Sequence, residues 1–245
     1  DLLLPSGAEN LNYVLYTDES PYKMQREWLD RLPFDIYSVN VHTGAKRLIG
    51  RSYRTAPKWS VNGKWAVMYD PIAQVWNKFD GATGKVVNIS DAIGYPMFME
   101  SYDKPAPAPA YGIAGWTADG NNVFLYDAYD WWKIDLTGER QPECLTKGYG
   151  RKHGKSIRKM TSNIDKDVFQ KDEKVIVSLW DKDTMDEGVY QLDMKGRLRK
   201  LMEGNYVYTI HRFSDNHEYC VWNRQNVSEF RDLWWSKSDF SNPVK

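Results

Sequence analysis

An all-β fold assembled from repeated four-stranded sheets is predicted by three features of the 245-residue sequence. Two short phrases alternate along the chain, aromatic residues are abundant (11 Trp and 16 Tyr), and no helical period recurs at the spacing of the repeat.

The first phrase is a polar turn followed by an alternating apolar strand. It reads WSVNGKWAVMY from Trp59, WTADGNNVFLY from Trp116, QKDEKVIVSLW from Gln170 and FSDNHEYCVW from Phe213, with a weaker form, LPSGAENLNYVLY, from Leu4. Asn-Gly, Asp-Gly and Asp-Asn at its centre are hairpin turns. Trp59, Trp116 and Phe213 precede equivalent turns and are expected to be largely buried at equivalent positions in three of the repeats. The second phrase runs a strand into a Thr-Gly or similar turn and a short outer strand. Its copies are DIYSVNVHTGAKRLI, QVWNKFDGATGKVVNI, DWWKIDLTGERQPECL, GVYQLDMKGRLRKL and DLWWSKSDFSNPVK. One pair of phrases makes one sheet of four strands, giving approximate units 1–50, 51–91, 110–147, 160–203 and 204–245. Apolar residues on both faces of each strand, as in VWNKF, WWKI and VFLY, require that every sheet be covered on both sides. The predicted fold is a β-propeller of about five blades, an incomplete part of a larger propeller.

Composition narrows the function. Lys plus Arg and Asp plus Glu balance at 33 each, so there is no net field to recruit nucleic acid. No run reaches the roughly 18 apolar residues of a membrane helix, and DLLLP at the start lacks the form of a signal peptide. A soluble chain without membrane insertion is expected. It begins without Met and ends on SNPVK, which reads as a fragment of something longer. Cys144 and Cys220 lie far apart with no metal-ligand spacing around them and read as free thiols. No cofactor and no metal is expected. The acidic DKDTMDEG (Asp181–Gly188) has Met185 and Asp186 where a calcium loop needs an oxygen ligand and then Gly, so it reads as an exposed hairpin turn.

Three stretches stay open between packing and recognition. The basic KGYGRKHGKSIRK (Lys147–Lys159) reads as a solvated connection or a grip for an acidic partner. Trp131–Trp132 and Trp234–Trp235 put neighbouring rings on opposite strand faces, for core packing or as sugar platforms. SPYKMQREWLDRLPF (Ser20–Phe34) spaces Met24, Trp28, Leu29 and Leu32 at near-helical intervals and reads as an excursion. The Pro-rich YDKPAPAPAYG cannot supply the donors of a central strand and is expected to be an extended surface loop.

The ordered run from ECLTKGYGRKHGKSIRK through VIVSLWDKDTMDEGVYQLDMKGRLRKL to VWNRQNVSEFRDLWWSKSDFSNPVK resembles the propeller of the prolyl oligopeptidase family of serine peptidases. It is most similar to the bacterial branch resembling dipeptidyl peptidase IV and acylaminoacyl peptidases. The resemblance implies a lid over a C-terminal α/β-hydrolase domain, which would be the partner, with short peptides as substrates and a periplasmic or secreted location. Acidic residues on a propeller insertion of dipeptidyl peptidase IV-like enzymes grip the substrate amino terminus, and Glu27 is the position this implies here, without the paired glutamates of that motif. No catalytic residue is expected in this chain: it contains no G-x-S-x-G, and His42, His153, His211 and His217 lack a triad context. A stand-alone propeller binding a glycan or protein through aromatic surface is the other reading.

Overall fold

The computed structural model describes residues 1–5, 11–29, 31–162 and 166–245. Strand accounts for 46% of the described residues and helix for 6%, and the fold is an all-β propeller made of successive antiparallel sheets. The turn of the first phrase near Leu4 falls partly on residues 6–10 and lies outside the described residues. The chain divides into two compact units, Asp1–Asp127 with Lys133–Glu143, and Ala128–Trp132 with Cys144–Lys245.

In the first unit, β1 (Leu2–Leu3), β2 (Tyr13–Asp18), β3 (Phe34–Asn40) and β4 (Lys46–Tyr53) pair in sequence order. The second sheet repeats the order with β5 (Lys58–Trp59), β6 (Trp65–Asp70), β7 (Val75–Asp80) and β8 (Val86–Asn88). The third repeat opens with the hairpin of β9 (Ile113–Thr117) and β10 (Asn122–Tyr126), and continues through β11 (Trp131–Asp135) and β12 (Glu143–Cys144). The second unit holds a short helix, α1 (Tyr149–Lys152), then β13 (Lys155–Lys159), β14 (Val168–Phe169), β15 (Lys174–Asp181), β16 (Glu187–Asp193) and β17 (Leu198–Gly204). The fourth sheet has the order β13-β15-β16-β17, and the fifth is β18 (Val207–Phe213), β19 (Tyr219–Gln225) and β20 (Asp232–Lys237).

The core lies between consecutive sheets. Leu15, Phe34, Ile36 and Tyr53 of the first sheet meet Ala66, Met68 and Phe79 of the second. Val67 and Tyr69, the alternate residues of β6, are buried as well, so this strand has no solvent face. That two-sided burial separates stacked sheets from a sandwich, whose strands wet one face. In the second unit Val189 meets Tyr208, Ile210, Phe213, Cys220, Trp222 and Phe240, and Trp222 stacks on Trp234 with centroids 5.6 Å apart. Each fully buried large side chain contributes about 1.5 to 3 kcal/mol. Trp116 and Phe213 are buried as the repeat predicts, but Trp59 is only half-buried. Its indole N–H reaches the Leu3 carbonyl at 3.1 Å while its ring meets Phe79 edge-on, which holds it at the rim of the cluster.

The recurring phrases are two recurring turns. In the first turn a side-chain oxygen closes the loop: Asn62 Oδ1 accepts from the Ser60 hydroxyl and the Lys64 N–H, Asp119 Oδ1 from the Thr117 hydroxyl and the Asn121 N–H, and Asn216 Oδ1 from the Ser214 hydroxyl and the Glu218 N–H. The next residue is left-handed in all three, Gly63, Gly120 and His217. In the second turn Asn40 and Asp80 accept from the N–H groups two and three residues on, and Thr43 and Thr83 accept from the N–H two residues further; the loop after Asp181, which joins the second and third strands of its sheet, repeats these bonds with Thr184. The left-handed residue after each Thr is Gly44, Gly84 or Met185. The acidic DKDTMDEG is therefore this hairpin loop, and its Asp181 oxygen is committed to backbone donors.

Two outcomes follow for stability. A methyl group on Gly120 would sit 2.6 Å from the Asn62 side chain at a left-handed φ of 69°, so Gly120→Ala lowers stability by roughly 2 to 4 kcal/mol in chemical denaturation. Met185, at a φ of 62°, stands where the matching loops have Gly, so Met185→Gly is neutral or stabilising by up to about 1 kcal/mol in the same measurement.

Candidate functional site

Antiparallel strands alternate in direction, so the connection between the second and third strands of a sheet leaves from the same end as the connection to the next sheet. Among the described residues of the first unit, the opposite end carries tight turns at residues 41–45, 60–64, 81–85 and 118–121. In the first unit the former end carries long excursions, residues 19–33 between β2 and β3 and residues 89–112 between β8 and β9. In the second unit the corresponding end carries the Asp181 loop and residues 226–231. Insertions gathered at one end of a repeat array mark its recognition face.

The first excursion opens with a 3-10 helix, Ser20–Gln25, rather than an α-helix. Pro21 presets its first turn, and Asp18 Oδ1 accepts the Ser20 N–H at 2.9 Å. The Tyr22 hydroxyl donates to buried Asp35 at 2.5 Å, and Asp35 also accepts the Ser52 N–H at 3.1 Å. Burial, then the Asp35 bond, pushes the Tyr22 hydroxyl up. The near-helical apolar spacing does not form an inward stripe: Leu32 is buried, whereas Met24 and Trp28 are 83% and 78% exposed. Glu27 lies beside Trp28 on this exposed turn. The second excursion is the Pro-rich loop, tied down where its carbonyls serve as acceptors. Pro109 takes the Met99 N–H, and Ala108 takes the Tyr69 hydroxyl at 3.1 Å.

In the second unit, the basic stretch is folded rather than a solvated connection. Buried Asp130 accepts from the Thr146 hydroxyl at 2.6 Å, the Gly150 N–H at 2.9 Å and the Arg151 N–H at 3.0 Å, which fixes the first turn of α1. Lys155, the first residue of β13, meets Glu203 at 2.6 Å, and Glu203 also takes the Tyr190 hydroxyl at 3.2 Å and Lys200 at 3.2 Å. The Lys155 bond holds the Glu203 carboxyl below its usual range and holds the Lys155 ammonium above its own. Burial raises the Tyr190 hydroxyl beyond reach at neutral pH. A carboxylate locked in its charged form between two cations orients and attracts; it does not shuttle protons.

The remaining sequence candidates separate cleanly. Trp131 and Trp132 are both buried, and the Trp131 indole donates to the Ile157 carbonyl at 3.1 Å. Trp234 stacks inward on Trp222, whereas Trp235 faces out. Cys144 and Cys220 form no disulfide among the described residues; Cys144 Sγ accepts the Gly148 N–H at 3.2 Å, and burial raises the Cys220 thiol. His42 pairs with Asn12, His153 stacks on Tyr149, His211 meets Asn223 and His217 occupies a left-handed turn, so none is aligned with a nucleophile among the described residues. Among the described residues no three His, Cys, Asp or Glu side chains could share a metal ion, and no helix is long and apolar enough to cross a membrane. The Asp35 and Asp130 anchors escaped the sequence reading. The legible signal for Asp130 is a lone carboxylate within the apolar run AYDWW.

Sheet order and loop asymmetry place the chain among β-propeller proteins. No family model and no curated protein matches its sequence. Among solved structures it is similar to TolB from Acinetobacter baumannii, at 15% identity over 98% of this chain and 52% of that one, with a TM-score of 0.44. It is also similar to the acylaminoacyl peptidase of Pyrococcus horikoshii (13% identity, 99% of this chain, 39% of that chain, TM-score 0.41). A third is the GH74 xyloglucanase from Xanthomonas campestris (10% identity, 95% of this chain, 36% of that chain, TM-score 0.49). The chain thus spans about half the length of the TolB structure and less of the two enzymes.

Asp130→Ala strips three donors of a buried acceptor and is expected to lower stability by roughly 2 to 4 kcal/mol, read by thermal or chemical unfolding. Glu203 has a depressed carboxyl, so its stabilising contribution is complete above the ordinary value of 4.5 and is lost as pH falls through the depressed value. Glu203→Gln should flatten that acid limb in stability measured against pH.

Proposed function

We propose that this chain is the non-catalytic propeller of a prolyl oligopeptidase-type serine peptidase, restricting access of short peptides to a hydrolase domain outside these residues. The observation that carries the reading is the asymmetry of the sheet ends in the first unit. One end carries tight turns at residues 41–45, 60–64, 81–85 and 118–121, and the other projects an anchored excursion with Met24, Glu27 and Trp28 exposed. A lid needs such a division, because the end that meets the second domain must supply contacts that the sheets themselves do not use. The resemblance of the run from Glu143 to Lys245 supports the same assignment. Under this reading Glu27 meets the substrate amino terminus, the catalytic Ser, Asp and His are supplied by the hydrolase domain, and the protein works in the periplasm or outside the cell.

A second reading, a stand-alone propeller that binds a protein partner through aromatic surface, is favoured by the exposure of Trp28 beside Met24. The encoding gene separates the two. A downstream G-x-S-x-G followed by Asp and His supports the peptidase, and a stop codon after Lys245 supports the binding module. The purified chain is expected to turn over no proline- or alanine-containing dipeptide chromogenic substrate and to take up no fluorophosphonate. Stoichiometric labelling of one Ser overturns the non-catalytic role. In a parent enzyme with the hydrolase domain, Glu27→Gln should raise KM for peptides with a free amino terminus about tenfold and leave blocked peptides unchanged.

A further inference from the structure

The first recurring turn is closed by one oxygen. Asn62, Asp119 and Asn216 each present Oδ1 to a hydroxyl two residues back and to an N–H two residues on, and Asp119 does so without an amide nitrogen. The nitrogen of an Asn is therefore spare to the turn itself. Asn216 uses only its oxygen. Asn62 Nδ2 instead reaches the neighbouring hairpin, donating to the Asp119 carbonyl at 2.9 Å and to Asn121 Oδ1 at 3.3 Å. One amide thus ties the β5–β6 turn to the β9–β10 turn inside the first unit.

The same amide belongs to the one Asn-Gly pair in the sequence, Asn62–Gly63. Glycine has no side chain to hinder attack of its own nitrogen on the amide carbon before it. In that reaction the Gly63 nitrogen bonds to Asn62 Cγ, the Cγ–Nδ2 bond breaks, and the amide nitrogen leaves as ammonia with the Gly63 proton. Water then opens the cyclic imide at either carbonyl, leaving Asp or isoaspartate. Nothing beyond solvent is consumed.

The fold restrains both reacting groups. The Gly63 N–H is bound to the Ser60 carbonyl at 2.9 Å, and both polar atoms of the Asn62 side chain are engaged. Ring closure therefore waits on local opening of the turn.

We propose that Asn62 is a spontaneous deamidation site which the two turns protect, and that its conversion unties them irreversibly. The product places an oxygen where the donor stood, facing the Asp119 carbonyl and Asn121 Oδ1 with no proton between them. Turning the Asn121 amide over brings no relief, because its Nδ2 is given to Asp119 Oδ2 at 3.4 Å. Like charge adds to the mismatch: the Thr117 hydroxyl and the Asn121 N–H hold the Asp119 carboxyl below its usual range. The turn of Asn62 itself can survive as an Asp turn, as Asp119 shows, so the loss falls on the contact between hairpins.

The experiment incubates the purified chain, folded and in urea, at mildly alkaline pH and counts conversion at each Asn by peptide mapping and mass spectrometry. In urea, Asn62 is expected to convert ahead of every other Asn and at least about tenfold faster than in the folded chain, where only the open fraction reacts. Equal rates in the two states overturn the protection. In chemical denaturation Asn62→Asp is expected to lower the unfolding midpoint, whereas Asn216→Asp, the same change in the same turn without a bridging amide, leaves it nearly unchanged. An unchanged midpoint for Asn62→Asp, or an equal fall in both variants, overturns the link between the hairpins. Limited proteolysis of partly converted wild-type chain reads the same link without a variant: converted molecules are cut first, and equal cutting overturns the proposal.

Discussion

Packing in the first unit depends on one constraint: its inner strands are apolar on both faces and must be covered twice. β6 makes the constraint visible, since Ala66 and Met68 are buried on one side and Val67 and Tyr69 on the other. A lone sheet with this pattern would expose one full apolar face, at about 25 cal/mol for each Å² left in water. The first and second sheets therefore stabilise one another, as do the fourth and fifth.

That dependence explains why polar residues are concentrated in the turns. A strand buried on both sides cannot spare a face for charge, so specificity of register comes from loop oxygens. Asn40, Asp80 and Asp181 fix one hairpin geometry, and Asn62, Asp119 and Asn216 fix the other. Each geometry recurs at three strand ends and fixes where those strands stop.

The same turns made the fold legible in the sequence. Asx, Thr and Gly at fixed offsets are local signals, and the chemistry that writes them acts within six residues. Where function of a residue depends on distant partners, the reading stopped. Ser20–Phe34 has a helical spacing of apolar residues, yet Tyr22 is bound to Asp35, and Met24 and Trp28 point to solvent. Lys147–Lys159 looks like a solvated basic run because its organiser, Asp130, lies at least 16 residues upstream of the groups it binds. Trp59 is expected to be buried from its place before the turn, but the Leu3 carbonyl that holds it at the rim is 56 positions away. Of the candidate site, the excursion was visible as an interruption, and Glu27 as its acidic residue. The charge-locked cluster of Lys155, Tyr190, Lys200 and Glu203 was not, because its members come from three strands.

Two buried aspartates connect the core to the recognition end by the same device. Asp35 and Asp130 each lie at or just before the start of a third strand, where the chain re-enters its sheet. Asp35 holds the hydroxyl of an excursion that precedes it, and Asp130 holds the amides of a helix turn that follows it. A buried carboxylate without donors would be costly, so at both positions loop and strand order together: the loop supplies the donors that make burial tolerable, and the carboxylate fixes the loop against the sheet. The first excursion is thereby anchored at its root while Met24 and Trp28 stay exposed. An anchored root with an exposed tip is the arrangement a contact surface needs, because the entropy of placing the loop is met during folding and only the tip remains to be ordered on binding.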